Sequence, residues 1–119
     1  MSNDFSLDCP HCRKGYRSWN FTHNLTQMAD AAGIYQVLWH PNKDYSEHGW
    51  QDEWIEYKTA KDILPILQAG YDRMILEPNH YKSFEPANKW GTYDGFLTVI
   101  SEIIEACKEY PDARPYANT

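Results

Sequence analysis

The sequence predicts an α+β domain, a small N-terminal β-hairpin or sheet packed on two or three amphipathic helices. Three observations carry that prediction. Residues 5–8 and 16–21 read as short strands on either side of a tight turn. Later segments repeat apolar residues at i, i+3, i+4 and i+7, the spacing of one helix face. The chain has 119 residues, enough for one domain with one sizeable core and too few for two.

Phe5 and Leu7 fall on one face of the first strand, Ser6 and Asp8 on the other. Cys9-Pro10-His11-Cys12 follows as a turn that Gly15 ends. Tyr16 to Phe21 returns as the second strand. Thr22, His23 or Asn24 caps the first helix, whose Leu25, Met28, Ala29 and Ala32 share a face. Gly33 is placed as its left-handed stop. The apolar run Ile34–Trp39 fits a strand or a helical turn, and His40-Pro41 ends it.

Residues 41–58 change in texture. Asp44, Glu47, Asp52, Glu53 and Glu56 alternate with Tyr45, His48, Trp50, Trp54 and Tyr57, an acidic and aromatic surface excursion within the single domain 1–119. Thr59 opens the second long helix, with Asp62 three residues on in a capping-box arrangement. Ile63, Leu67, Gly70 or Tyr71, and Met74 form its stripe; Pro65 sits in the second turn and Pro78 ends it. Residues 79–84 add a short helical turn. The last helix follows the turn Asn88–Gly95 and carries Phe96, Ile100, Ile103, Ile104 and Cys107 on one face, with Pro111 as its stop. Residues 113–117 are a candidate last strand on the hairpin, although Pro115 counts against a regular one.

Seventeen acidic against eleven basic residues give a net charge of −6. That balance argues against nucleic acid and against an anionic membrane surface as partners. It does not oppose a basic protein partner. The chain holds nine Tyr, five Trp and four Phe. A core of this size does not hide all of them easily, so some are expected to line a pocket or an interface. No apolar run is long enough for a membrane helix, and no signal-like N-terminus is present, so a cytoplasmic protein is expected.

Three constellations are chemically informative. Cys9 and Cys12, at C-x-x-C spacing, are candidate zinc ligands with His23 as a third; no second C-x-x-C occurs, so His11, His40, His48 or Cys107 would also have to serve to complete four. The competing readings are a redox dithiol, which needs a helix start at the first cysteine, and a plain hairpin turn. His48 has Asp44 and Asp52 four residues to either side, a shared face if that segment is helical. No H-E-x-x-H, P-loop, G-x-G-x-x-G or G-x-S-x-G motif occurs, so no catalytic residue is assigned and a non-enzyme is expected. Finally, Asn88, Lys89, Trp90, Thr92 and Tyr93 combine flat rings and hydrogen-bonding groups at a helix N-terminus. They suit a planar, anionic ligand of nucleotide type; alternatively, Trp90 and Tyr93 staple the turn to the core.

The C-P-H-C turn, the run N-F-T-H-N-L-T-Q-M-A-D-A-A-G-I-Y, the turn N-K-W-G-T-Y-D-G-F and the ending A-C-K-E-Y-P-D-A occur in that order. Together they resemble a family of small phage and prophage proteins. The resemblance covers most of the chain apart from residues 41–58. It implies an accessory protein acting in the host cell by binding, and it points to origin more than to activity. Two binding roles are compatible with it. One is sequestration of a nucleotide-type signal, as a counter-defence. The other is docking on a host protein through the acidic aromatic surface. A zinc-stabilised structural module is a further alternative, and homo-oligomerisation stays open.

Overall fold

The computed structural model describes residues 2–9, 11, 14–41, 59–85 and 91–118. It is α+β, as the sequence predicts. Strands β1 (Ser2–Asp8) and β2 (Gly15–Thr22) form an antiparallel hairpin, and β3 (Arg114–Asn118) pairs antiparallel with the other edge of β1. The order is therefore β2-β1-β3, with the first strand in the centre. Strand period two explains the two faces. Phe5 and Leu7 are buried beneath the sheet with Trp19 and Phe21, while Asp4, Ser18, Asn20 and Tyr116 point outward.

Pro115 does not prevent the last strand. It sits on an edge strand opposite Leu7, where a missing N–H is tolerated. The β1–β2 pairing shifts between Leu7 and Asp8, so β2 carries one extra residue, Tyr16. Tyr16 stacks on Tyr110 with ring centroids 4.4 Å apart and planes 7° from parallel.

A 3₁₀ turn (His23–Leu25) leads into α1 (Thr26–Ala31). Thr22 caps it, its hydroxyl accepting from the Asn24 N–H at 3.2 Å. Gly33, at φ 78°, ends the helix as expected. The Ala32 carbonyl at this end accepts from Arg73 Nη1 at 2.7 Å, so a cation from a distant helix covers the negative end of α1. Ile34–Trp39 resolves as a short helix, α2 (Tyr35–Trp39), with Val37, Leu38 and Trp39 all buried. Three successive buried residues need an element enclosed on several sides, which one helical turn beneath the sheet provides.

Helix α3 (Ala60–Leu76) buries Ala60, Ile63, Leu67, Gly70 and Met74. Its first free N–H groups are not left to solvent: Ala60 donates to Ala113 O at 2.7 Å and Lys61 to Pro111 O at 3.0 Å. Asp62 closes its half of the capping box by accepting from the Thr59 N–H at 3.1 Å. At Gly70 a Cβ would lie 2.4 Å from Ile34 Cγ2, so only glycine allows this approach. A short α4 (Pro78–Lys82) follows, and then α5 (Tyr93–Glu109). Helix α5 buries Tyr93, Phe96, Ile100, Ile103, Ile104, Ala106 and Cys107 against α3 and the sheet. On its outer side Glu102 accepts from Trp19 Nε1 at 3.1 Å and lies 3.7 Å from Arg17, tying β2 to the helix. Among the described residues no helix is long and apolar enough to cross a membrane.

Candidate functional site

Two of the five residues expected to hold a ligand at the start of α5 are described, and both serve the fold. Thr92 is the N-cap, its hydroxyl accepting from the Gly95 N–H at 3.1 Å. Tyr93 is 4% exposed, and its hydroxyl donates to the Met74 carbonyl at 2.6 Å. That carbonyl has a specific need. Its helical partner would be the N–H of residue 78, which is a proline and has none. Burial raises the Tyr93 phenol pKa, and the nearby Asp94 charge adds to the effect.

The positive end of α5 is also occupied from within. The Tyr93 N–H donates to Glu85 Oε1 at 2.8 Å. Gly91, at φ 98°, lets the turn press on the 3₁₀ segment: a Cβ there would stand 2.6 Å from Thr22 Cγ2 and 3.0 Å from Leu25 Cγ. Of the two readings of this turn, the staple describes Tyr93. The Tyr93 hydroxyl is turned into the fold, whereas Thr92 stays exposed while capping the helix. Asn88, Lys89 and Trp90 lie outside the described residues, as do residues 42–58 with His48.

Two members of the proposed zinc set, Cys9 and His23, lie at opposite ends of the hairpin. The hairpin pairs Ser2 with Thr22 at one end and Asp8 with Gly15 at the other. Cys9 follows the second end and His23 the first, so strand rise alone separates them by more than about 20 Å. No single ion spans that gap at the roughly 2.0–2.3 Å of a zinc–ligand bond. His23 is instead held by the core, its Nδ1 accepting from Trp39 Nε1 at 3.0 Å. Cys9 closes the turn through its N–H, which donates to Lys14 O at 2.7 Å. Cys12 lies outside the described residues. Among the described residues no three His, Cys, Asp or Glu side chains gather as a metal set. Cys107 is buried in α5, and burial pushes its thiol up to about 12, far from a reactive thiolate at neutral pH.

What the structure does assemble is a concave patch on the solvent face of the sheet. Asp4, Ser6, Ser18, Asn20 and Tyr116, over the strand segments at Phe5 and Trp19, line a shallow, half-open groove of about 460 Å³. The register explains it. Ser18, Ser6 and Tyr116 form one row across the three strands. Two small side chains beside one large ring leave a depression with an aromatic wall. The next row begins with Asn20 opposite Asp4, and Asn20 Nδ2 donates to Asp4 Oδ1 at 2.5 Å. Tyr116 is 47% exposed, unlike the aromatic residues packed beneath the sheet. Sequence reasoning missed this site, although its signal was present: the outward set of each strand is the complement of the buried set. Searched against family models, curated proteins and solved structures, the chain matches none of them.

Proposed function

We propose that this chain is a non-catalytic binding protein that captures a nucleotide-type small molecule on the outer face of its sheet. The carrying observation is the groove itself. It pairs an exposed aromatic wall, Tyr116, with hydrogen-bonding side chains at Asp4, Ser6, Ser18 and Asn20. A flat ring takes the depression over Ser6 and Ser18, and polar edges meet the surrounding side chains. The groups stand on paired strands rather than on loops, which suits capture with little ordering cost. Sequestration of a host nucleotide signal by a phage accessory protein, in the host cytoplasm, is the role that the motif resemblance adds to this reading. Docking on a host protein through the acidic aromatic stretch is the alternative that the −6 charge keeps alive.

A thermal-shift panel of nucleosides, mononucleotides and cyclic dinucleotides tests the proposal. A ligand at one hundred times its dissociation constant stabilises the fold by about 2.7 kcal/mol. Tyr116→Ala, at an exposed position, should fold normally and lose that stabilisation. No shift from any compound in the panel rules the reading out.

A further inference from the structure

We infer that the molecule bound on this face keeps a free vicinal diol, as the ribose of a nucleoside or 5′-nucleotide does, and that Asp4 beside Asn20 holds it. This rests on the reading of the sheet face as a nucleotide site. The groove is asymmetric. Its ring-sized depression lies at the Ser18–Ser6–Tyr116 row, and its strongest acceptor, the Asp4 carboxylate, lies one same-face row away. Asp4 pairs with Asn118 and Ser6 with Tyr116, so Asp4 and Tyr116 are diagonal neighbours, roughly 7–8 Å apart by sheet geometry. That separation is comparable to the span from a base to the 2′ and 3′ hydroxyls of its ribose.

The chemistry at Asp4 selects further. An ionised carboxylate accepts only, through about four lone-pair sites, so the one bond from Asn20 leaves capacity for two more. Adjacent hydroxyls match that demand, and an acidic residue on the ribose hydroxyls is a recurrent solution in nucleotide sites. The bond from Asn20 also holds the carboxylate in place before any ligand arrives. A phosphate at the same spot meets a negative charge and no donor from Asp4. Among the described strand residues, the nearest cation on this face, Arg114, lies two rows away opposite Asp8. Ligands whose 3′ oxygen is esterified, such as 3′,5′-cyclic mononucleotides and 3′–5′ linked cyclic dinucleotides, therefore fit poorly. Those with an unblocked ribose fit well.

The test is a two-dimensional amide NMR titration of the full chain with the four ribonucleoside 5′-monophosphates. The matching 2′-deoxy compounds and 3′,5′-cyclic AMP are titrated in parallel. At least one ribonucleotide should shift the amides of Asp4, Ser6, Ser18 and Tyr116. Its deoxy and cyclic counterparts should bind roughly ten- to a hundred-fold more weakly, the effect of losing a hydrogen bond to a charged group. In Asp4→Ala, which removes the acceptor at an exposed position, the ribo-to-deoxy ratio should fall to about one. Equal binding of ribo and deoxy forms on this face overturns the diol inference while leaving the sheet-face reading in place. No shift on this face from any compound overturns both.

Discussion

Replacing Tyr93 with Phe removes one oxygen atom and tests why α5 begins where it does. The ring is buried, so Phe fills the same space and the packing loss is small. The change falls on the 2.6 Å bond to the Met74 carbonyl. Pro78 gives that carbonyl no helical N–H, so the variant leaves a buried acceptor unpaired. Such a group costs about 1–3 kcal/mol. With a urea slope on the order of 1–3 kcal/mol per M, the unfolding midpoint should drop by roughly 0.5–1.5 M with the slope unchanged. Tyr116→Phe, on the exposed face, is the control and should move the midpoint little. The same hydroxyl leaves a second signature. Because burial holds the folded pKa above its ordinary value of 10.0, both states are neutral below that pH and stability there is unaffected. Above it the unfolded chain ionises first, so wild-type stability falls as pH rises toward the folded pKa, and Tyr93→Phe lacks this component. A midpoint for Tyr93→Phe within about 0.3 M of wild type, with the same high-pH decline, would refute the inward, bonded placement of Tyr93.

Other consequences follow from single contacts. Gly91→Ala must adopt φ 98° and push against Thr22 and Leu25, so it should cost on the order of 2–4 kcal/mol by chemical denaturation. Glu85→Gln keeps an acceptor for the Tyr93 N–H but removes the charge at the positive end of α5. Its cost of about 0.3–1 kcal/mol should shrink in high salt, and a salt-independent cost would argue against the dipole. The Cys107 thiol, with an ordinary value of 9.0 and a folded value of about 12, resists ionisation only in the folded state. Stability should therefore decline between pH 9 and 12 by up to about 1.4 kcal/mol per pH unit, and Cys107→Ala should flatten that decline.

The helices were legible because their signals are local. The stripe of α5, the glycine stop at Gly33 and the Thr59–Asp62 capping arrangement each follow from neighbours within a few residues. The hairpin faces followed from period two in the same way. The helical state of Ile34–Trp39 was not decidable, because a six-residue apolar run carries no period of its own. The distance between Cys9 and His23 was implicit in the hairpin reading, since the cysteines stand at its turn and His23 follows the far end of its second strand. Asn3 was invisible. It is fully buried beside the first apolar residues, with its Nδ2 donating to Leu38 O at 2.9 Å, and that partner lies thirty-five residues away. The outward residues of the hairpin were legible from strand alternation, but placing Tyr116 beside Ser6 needed the register of a third strand from the opposite end of the chain.

The turn before α5 shows why a feature that suits a ligand is not by itself a site. A helix start attracts negative charge and offers unpaired N–H groups, whatever supplies the charge. Here the chain supplies its own. Glu85 takes the Tyr93 N–H, Thr92 takes the Gly95 N–H, and Tyr93 turns its hydroxyl to the Met74 carbonyl. An incoming phosphate would have to displace Glu85 and would gain only the difference between two anions at the same place. Among the described residues, no side chain lies in the depression on the outer face of the sheet. Ser6 and Ser18 are too short to fill the space beside Tyr116, and Asp4 retains acceptor capacity after its bond from Asn20. Binding free energy comes from contacts that the folded chain does not already make for itself, and on the sheet face Asp4, Ser6, Ser18 and Tyr116 stand open to an incoming group.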